Sequence, residues 1–469
     1  MIRKPLDTWR RSWLVGCVVA VVLALIPGID AQSGRKDNWV STWATAPVAR
    51  TTTPPAAAPT AAPSAAASSP VAAAAAPPAA VTASAATPTP APGGRGQAPA
   101  GAAGGAGRGG GAIVAPNNQT IRQIVHVSLG GDRVRVVFTN SFGTRPLAIG
   151  GAHIALRGQN AAIVAGSGHP LTFSGQPTTA IPPGATMISD PVSLTVPNLA
   201  DLAIDLYLPG ETGLSTLSRH GGAYQTNYLT AGNLAGAPDL PDATVVRSWY
   251  FLSRVEVSAP ERTPVVVATG DSITDGTAST VDTNGRWPDV LARRLLAQRG
   301  RRIAVVNAGI AANRVLSDAA GDGGVNILAR LDRDVLVQSG ATHMVLMLGI
   351  NDIGQARQNP SPSADDLIAG HRQVIERAHA LGIKIFGATL TPFEGAAYFT
   401  PEGEAKRQAV NQWIRTAKEY DGVIDFDAAL RDPKQPSKFL QQYQSGDQLH
   451  PNNAGYEVMA NAINLDLFK

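Results

Sequence analysis

Apolar positions fall into two regimes along this chain. From Ile113 to about Ala259 they alternate with polar ones. In "VHVSLGGDRVRVVF", Val125, Val127 and Leu129 precede Gly130-Gly131-Asp132, then Val134 and Val136 follow, which predicts a hairpin with one buried face. "DLAIDLYLPG" sets Leu202, Ile204, Leu206 and Leu208 on one face and closes at Pro209-Gly210; "SLTV" and "SWYFLSRVEV" read as further strands. No amphipathic helical pattern interrupts this region, so it is expected to be a β-sandwich of jelly-roll type. At Thr263 the period changes. Near-continuous apolar runs at Val265–Ala268, Ile303–Val306, Met344–Leu348, Ile383–Leu390 and Val423–Phe426 alternate with helical patterns. One helix has Pro288 near its start, buries Val290, Leu291, Leu295 and Leu296, and stops by Gly300; another, after Asp365, carries Leu367, Ile368, Val374, Ile375 and Ala378. Apolar strands alternating with helices predict an α/β domain over 263–469, a parallel sheet covered on both faces, with ligands bound at the carboxyl ends of its strands.

Composition marks off the rest. From Val48 to about Ala112 the chain is almost entirely Ala, Pro, Gly, Thr and Ser, with Arg50, Arg95 and Arg108 and no acid. Such a tract buries too little apolar surface to offset its ordering entropy and is expected to be disordered. It is preceded by "WVSTWATAP", Trp39–Pro47, of strand-like composition. Residues 1–31 open on basic residues, continue in a 14-residue apolar run from Trp13 to Ile26, and end on small residues at Ala31. This is signal-peptide anatomy, and the run is short against the ~20 residues of a spanning helix. It predicts a secreted or periplasmic protein, with no stable membrane insertion after cleavage. The only cysteine, Cys17, lies in that segment ahead of most of the apolar run, unlike a lipoprotein box. A chain lacking 1–31 therefore has no disulfide, thiolate metal site or cysteine nucleophile. It keeps 35 basic and 33 acidic residues, too balanced for a nucleic-acid footprint.

The chemistry gathers at the predicted strand ends. "VVVATGDSITDG" leaves its strand on Gly270-Asp271-Ser272, which taken alone is an ordinary turn sequence. The following strands end "VVNAGIAANRV" and "LMLGINDIG", and "DQLHPNNAGY" stands near the C-terminus. Serine hydrolysis needs a hydroxyl, a base, an acid that orients the base, and donors for the oxyanion. Ser272 supplies the hydroxyl. His450 is the best placed of eight histidines, because His371 and His379 fall in a helical pattern, His343 starts a buried strand, and His126, His153, His169 and His220 lie in the β region. Asp447, three residues before His450, can share its loop. Asn351 can donate its amide to an oxyanion, or else serve as a helix cap or turn, a place Asp352 also fits.

"GDSITDG", "NAGIAANRV", "GIND" and "DQLH" resemble, in order and spacing, the four blocks of the SGNH (GDSL-type) hydrolases, and the resemblance runs from Thr263 to Phe468. "NGRWPDVLARRL", "GATLTPFEG" and "GVIDFDAALRDP" are similar to its secreted bacterial arylesterase-like branch, whose members often carry an N-terminal β-domain. The resemblance implies a flavodoxin-like sheet, and a β-domain made of 39–47 plus 113–259 with the low-complexity tract 48–112 inserted. It implies Ser272 as nucleophile, His450 as general base and acid, and Asp447 as the orienting carboxylate. Oxyanion donors would be the Ser272 N–H, a second-block N–H and the Asn351 side chain. The family's second-block glycine aligns with Ala312 rather than Gly309; a backbone donor tolerates alanine at negative φ and is strained at positive φ.

These residues predict a serine esterase that needs no metal or cofactor, and the resemblance implies short-acyl esters, aryl esters or acetylated carbohydrate as its substrates. Two rivals remain open: a non-catalytic carbohydrate-binding or surface protein on a degenerate site, and an acyltransferase or thioesterase of the same fold.

Overall fold

The computed structural model describes residues 37–51, 115–212, 216–355 and 361–469. The expected signal peptide with Cys17, and the low-complexity tract beyond Thr51 up to 114, lie outside the described residues.

The N-terminal part is antiparallel β throughout its described residues. A four-stranded sheet contains Asn38–Ala44, Leu252–Ala259, Val134–Thr139 and Thr186–Ile188, in that order. A six-stranded sheet is centred on Gln119–His126 and Asp201–Leu208, paired from Gln119–Leu208 to His126–Asp201. Ile121, Val125, Leu202, Ile204 and Leu206 share one apolar core with Val136, Phe138, Val255 and Val257 of the smaller sheet. The opposite face of the larger sheet is buried too. Ile124, Ala203, Tyr228 and Leu240 form a separate cluster there, and Arg122 sits in a two-pronged ion pair with Asp205 at 2.7 and 2.8 Å.

Two sequence expectations change here. Gly130-Gly131 is not a hairpin turn, because the strands on either side belong to different sheets. The glycines serve a crossing: a Cβ on Gly130 would lie 2.0 Å from the Val196 carbonyl oxygen, and Gly131 exchanges hydrogen bonds of 3.0 and 2.8 Å with Val196. "SLTV" correspondingly contributes isolated bridges at its flanks, not a strand. The boundary of the low-complexity tract also moves. Val48–Thr51 is a strand paired with Thr216–Arg219, so composition placed the start of the tract too early. The partner that orders it is remote in sequence, and no local pattern announces it.

The C-terminal part is the expected parallel sheet. Its order is Ala304–Asn307, Val265–Gly270, Ala341–Met347, Lys384–Ala388, Gly422–Ile424, or 2-1-3-4-5 in chain order. Helices Trp287–Ala297, Ala364–Ala380, Pro401–Thr416 and Asn453–Ala462 cover it. Pro288 stands in the first turn of the first; Ser363 and Asp366 make a reciprocal capping box on the second. In this strand order the connection reverses between the first and third strands, which opens a crevice above their carboxyl ends.

The two parts share a single apolar cluster, which runs from Val40 and Trp43 through Val265–Ala268. The first strand bridges them: the Ser41 N–H donates to the Ser339 carbonyl at 2.9 Å, and the Ser339 N–H returns a bond to Ser41 Oγ at 3.0 Å. Ser128 Oγ accepts from the Val305 N–H at 3.0 Å. Trp43 packs edge-on against Trp249, with ring centroids 5.0 Å apart, and both rings are buried. Trp43→Ala should therefore lower stability by about 3–5 kcal/mol, read from a urea unfolding curve. A loss below 1 kcal/mol would show that the first strand does not hold the two parts together.

Candidate active site

Val265–Gly270 is buried along its whole length and stops where Asp271 leaves the sheet. The Asp271 side chain accepts from the Ile273 N–H at 3.0 Å and so caps a single helical turn, Ser272–Asp275, closed by Gly276 at φ 106°. Ser272 thus occupies the first position of a helical turn, above the end of the strand next to the topological reversal. Its N–H there has no intrahelical acceptor.

His450 reaches Ser272 from the loop preceding the C-terminal helix. Its Nε2 lies 2.8 Å from Ser272 Oγ, and its Nδ1 lies 2.5 Å from Asp447 Oδ2. The other Asp447 oxygen accepts from the N–H groups of Leu449 at 3.0 Å and His450 at 2.9 Å, and from Ser445 Oγ at 3.1 Å. Burial pushes the Asp447 carboxyl upward, but the hydrogen bond and charge of His450, with these backbone donors, hold it well below the usual carboxylate range. A low-shifted acid at Nδ1 keeps the proton on that nitrogen and leaves Nε2 free to accept from the serine.

Asn351 is the second residue of the turn Ile350–Gly354, whose capping position is Gly349, so it is not a cap. Its Nδ2 donates one hydrogen to the Asn313 carbonyl at 3.2 Å, and its Oδ1 accepts from Gln355 at 3.0 Å. The amide is fixed at both ends with a second Nδ2 hydrogen uncommitted. Asp352 does not cap either: its carboxylate takes the N–H groups of Val315 at 2.8 Å and Leu316 at 2.9 Å, tying the third block to the second. Burial raises the Asp352 carboxyl to about 6 against these bonds.

In the second block, the Gly309 N–H is spent on Asn307 Oδ1 at 2.9 Å, and a Cβ there would lie 2.4 Å from the Asp275 nitrogen. Gly309 is therefore a packing glycine. Ala312 sits at φ 62°, the left-handed region where a side chain is strained, and no described acceptor takes its N–H. The structure brings Ser272, His450, Asp447, Asn351 and the Ala312 loop to one end of the sheet. It also brings residues that sequence reasoning passed over. Arg330, fully buried, donates to the carbonyls of Ala308 at 2.9 Å and Gly270 at 3.3 Å and to Asn313 Oδ1 at 3.0 Å. Desolvation lowers its pKa to about 10. Asp271 is buried with Oδ2 unpartnered, and burial raises its carboxyl to about 7. His220 of the β-domain bonds Asp275. Arg330 and His220 stand outside the four motif blocks; Asp271, and the Asp275 that His220 bonds, lie within the first. A hollow of about 460 Å³, lined by Leu316, Leu328, Pro362 and Gly370, includes neither Ser272 nor His450.

Residues 268–458 match the GDSL-like lipase/acylhydrolase family. No curated protein matches the chain. Similar solved structures include the aryl esterase of M. smegmatis, at 15% identity and TM-score 0.35, covering 43% of this chain and 96% of that one. They also include a carbohydrate acetylesterase from Sinorhizobium meliloti, at 14% identity and TM-score 0.34, with coverage of 43% and 96%. A member of the lipolytic protein G-D-S-L family from Veillonella parvula matches at 20% identity and TM-score 0.33, again over 43% and 96%. The parallel-sheet domain of this chain belongs to the GDSL-like lipase/acylhydrolase family.

Proposed function

We propose that the protein is an exported serine esterase that hydrolyses short-acyl esters, aryl esters or acetylated carbohydrate, through an acyl-enzyme. The observation that carries this reading is the chain Ser272 Oγ, His450 Nε2, His450 Nδ1, Asp447 Oδ2, at 2.8 and 2.5 Å, set at the crevice of a parallel sheet. Ser272 attacks the ester carbonyl carbon while His450 Nε2 takes its proton. Asp447 holds the ring and stabilises the imidazolium. The tetrahedral oxyanion is received by the N–H groups of Ser272 and Ala312 and by the free Asn351 amide hydrogen. His450 then protonates the departing alkoxide, the C–O bond breaks, and water repeats the sequence on the acyl-enzyme. Every group this route needs is supplied by the chain itself. Export rests on the anatomy of residues 1–31, and the short-acyl preference on the family resemblance.

Two variants assayed together on an aryl acetate test the reading. Ser272→Ala should lower kcat by several orders of magnitude with an unchanged unfolding midpoint, and should not react with an organophosphonate. Asn351→Ala should lower kcat by about 10²–10³-fold with KM little changed, because an amide aimed at developing charge acts in the transition state. Full turnover by Ser272→Ala would end the proposal.

Asp271 gives a separate prediction in pH. The folded carboxyl titrates near 7 against an ordinary value of 3.8. As pH rises between these values the unfolded chain releases this proton first, so stability falls across that window. Asp271→Asn keeps the acceptor for the Ile273 N–H and removes the charge. Its unfolding midpoint should exceed that of the parent at pH 8 and lose most of that advantage at pH 4. An equal difference at both values would mean that Asp271 carries no raised carboxyl.

A further inference from the structure

The β-domain reaches the turn that carries Ser272. His220 ends the strand Thr216–His220 and is buried. Its Nε2 lies 2.8 Å from Asp275 Oδ1, and its Nδ1 lies 2.9 Å from the Ala46 carbonyl oxygen. A carbonyl oxygen has no hydrogen, so Nδ1 must carry one; a carboxylate has none either, so Nε2 must carry the second. With Asp275 as a carboxylate, both ring nitrogens of His220 therefore donate and the ring is an imidazolium. Asp275 closes the helical turn that Ser272 opens, and its Oδ2 accepts the Ala311 N–H at 3.2 Å, one residue before Ala312. The next β-domain residues press on the same turn: a Cβ on Gly222 would lie 2.9 Å from Asp275 Oδ2, and Tyr224 donates to Thr277 Oγ1 at 3.0 Å. Farther along the second-block loop, Asp322 is paired with Arg50 at 2.9 Å and approached by Arg219 at 3.7 Å, both from β-domain strands.

We propose that His220 is a positioning residue of the esterase: a buried imidazolium, supplied by the β-domain, that fixes Asp275 so that Asp275 holds the Ala311–Ala312 backbone in oxyanion-binding geometry. The ring touches no substrate. Burial pushes its pKa down, and the charge and hydrogen bond of Asp275, with the Ala46 carbonyl, outweigh that and raise it. Arg286 opposes the charge, Trp249 lies beside the ring, and Tyr224 and Tyr456 face Asp275 with phenols that burial keeps protonated. The Asp275 link makes the β-domain part of the catalytic apparatus rather than an appended module. A parallel-sheet domain without it would leave Asp275 buried with no cation from that side.

The inference rests on the Ser272 reading, and the test separates the two. The full chain is assayed on an aryl acetate as the parent, His220→Gln, Asp275→Asn and the double variant. Each single variant should lose about 10–100-fold in kcat with KM within about twofold, since a small displacement of an oxyanion donor acts in the transition state. The double variant should be no worse than the poorer single one, because one linkage is broken once. The unfolding midpoint of each variant is measured alongside, so that kcat refers to folded enzyme. Normal kcat in folded His220→Gln or in Asp275→Asn, or additive losses, would overturn the proposal. The protonation state needs no variant: ring ¹⁵N shifts of the parent should report an imidazolium at His220 at pH 7, and a neutral ring would overturn it. If Ser272→Ala is inactive while these variants turn over normally, only the positioning role fails; if Ser272→Ala is active, the esterase reading fails with it.

Discussion

Two backbones press on the turn that carries Ser272, and only small residues let them. A Cβ on Gly270 would lie 2.5 Å from the Met347 carbonyl oxygen and 2.3 Å from Thr274 Oγ1. A Cβ on Gly309 would meet the Asp275 nitrogen at 2.4 Å. The first contact lets the neighbouring strand run alongside while the chain turns out of the sheet. The second seats the second-block loop on the same turn, where the Asn307 amide donates to the Thr274 carbonyl at 2.7 Å. The Ser272 turn, the Gly309 loop and the strand that leads to Asn351 are thereby parts of one packed contact, and Arg330 binds the carbonyls of Gly270 and Ala308 at once.

Buried charge recurs wherever a chain segment must hold one position. Arg122–Asp205, Arg407–Asp427, Arg330–Asp334 and His220–Asp275 all have side chains almost wholly removed from water. Such pairs lose in desolvation much of what they gain in attraction, so they are poor sources of stability. Breaking one is costly, however, because it strands the partner. That asymmetry suits a registry function. Arg407 joins the Leu390 carbonyl to Asp427 and Glu404, and so fixes the end of the fourth parallel strand against two helices. His220–Asp275 does the same between the two domains, at the point where their geometry sets that of the site.

What the sequence disclosed follows from how local each signal is. The five parallel strands, the helix begun by Pro288 and the His450 loop are written in contiguous residues, by apolar runs, caps and short motifs. Features that depend on a remote partner were illegible. Val48–Thr51 is composed like the tract that follows it, and only its pairing with Thr216–Arg219 makes it a strand. Gly130-Gly131 looks like a hairpin turn because the sequence cannot show that Val196 crosses there. His220 looked like one more histidine of a β region, for its significance lies in Asp275, 55 positions away. The motif blocks pointed to Ser272, Asn351, Asp447 and His450 and gave no hint that the β-domain bonds Asp275 within the first of them.

Ala312 shows how that grip matters. A residue with a Cβ in the left-handed region gives up about 1–2 kcal/mol, and such strain persists only where the surroundings over-determine the conformation. They do so here from every direction. Asp275 takes the preceding N–H. The Asn313 amide donates to the carbonyls of Gly323 and Val325 at 2.8 Å each, while its oxygen accepts from Arg330. Asp352 takes the N–H groups of Val315 and Leu316. With so many fixed neighbours the flexibility of glycine has little left to contribute in the folded state, and alanine restricts the unfolded chain, which returns part of the strain. Alanine is thus held in this conformation by a loop clamped on both flanks, and His220 of the β-domain bonds the Asp275 that clamps one of them.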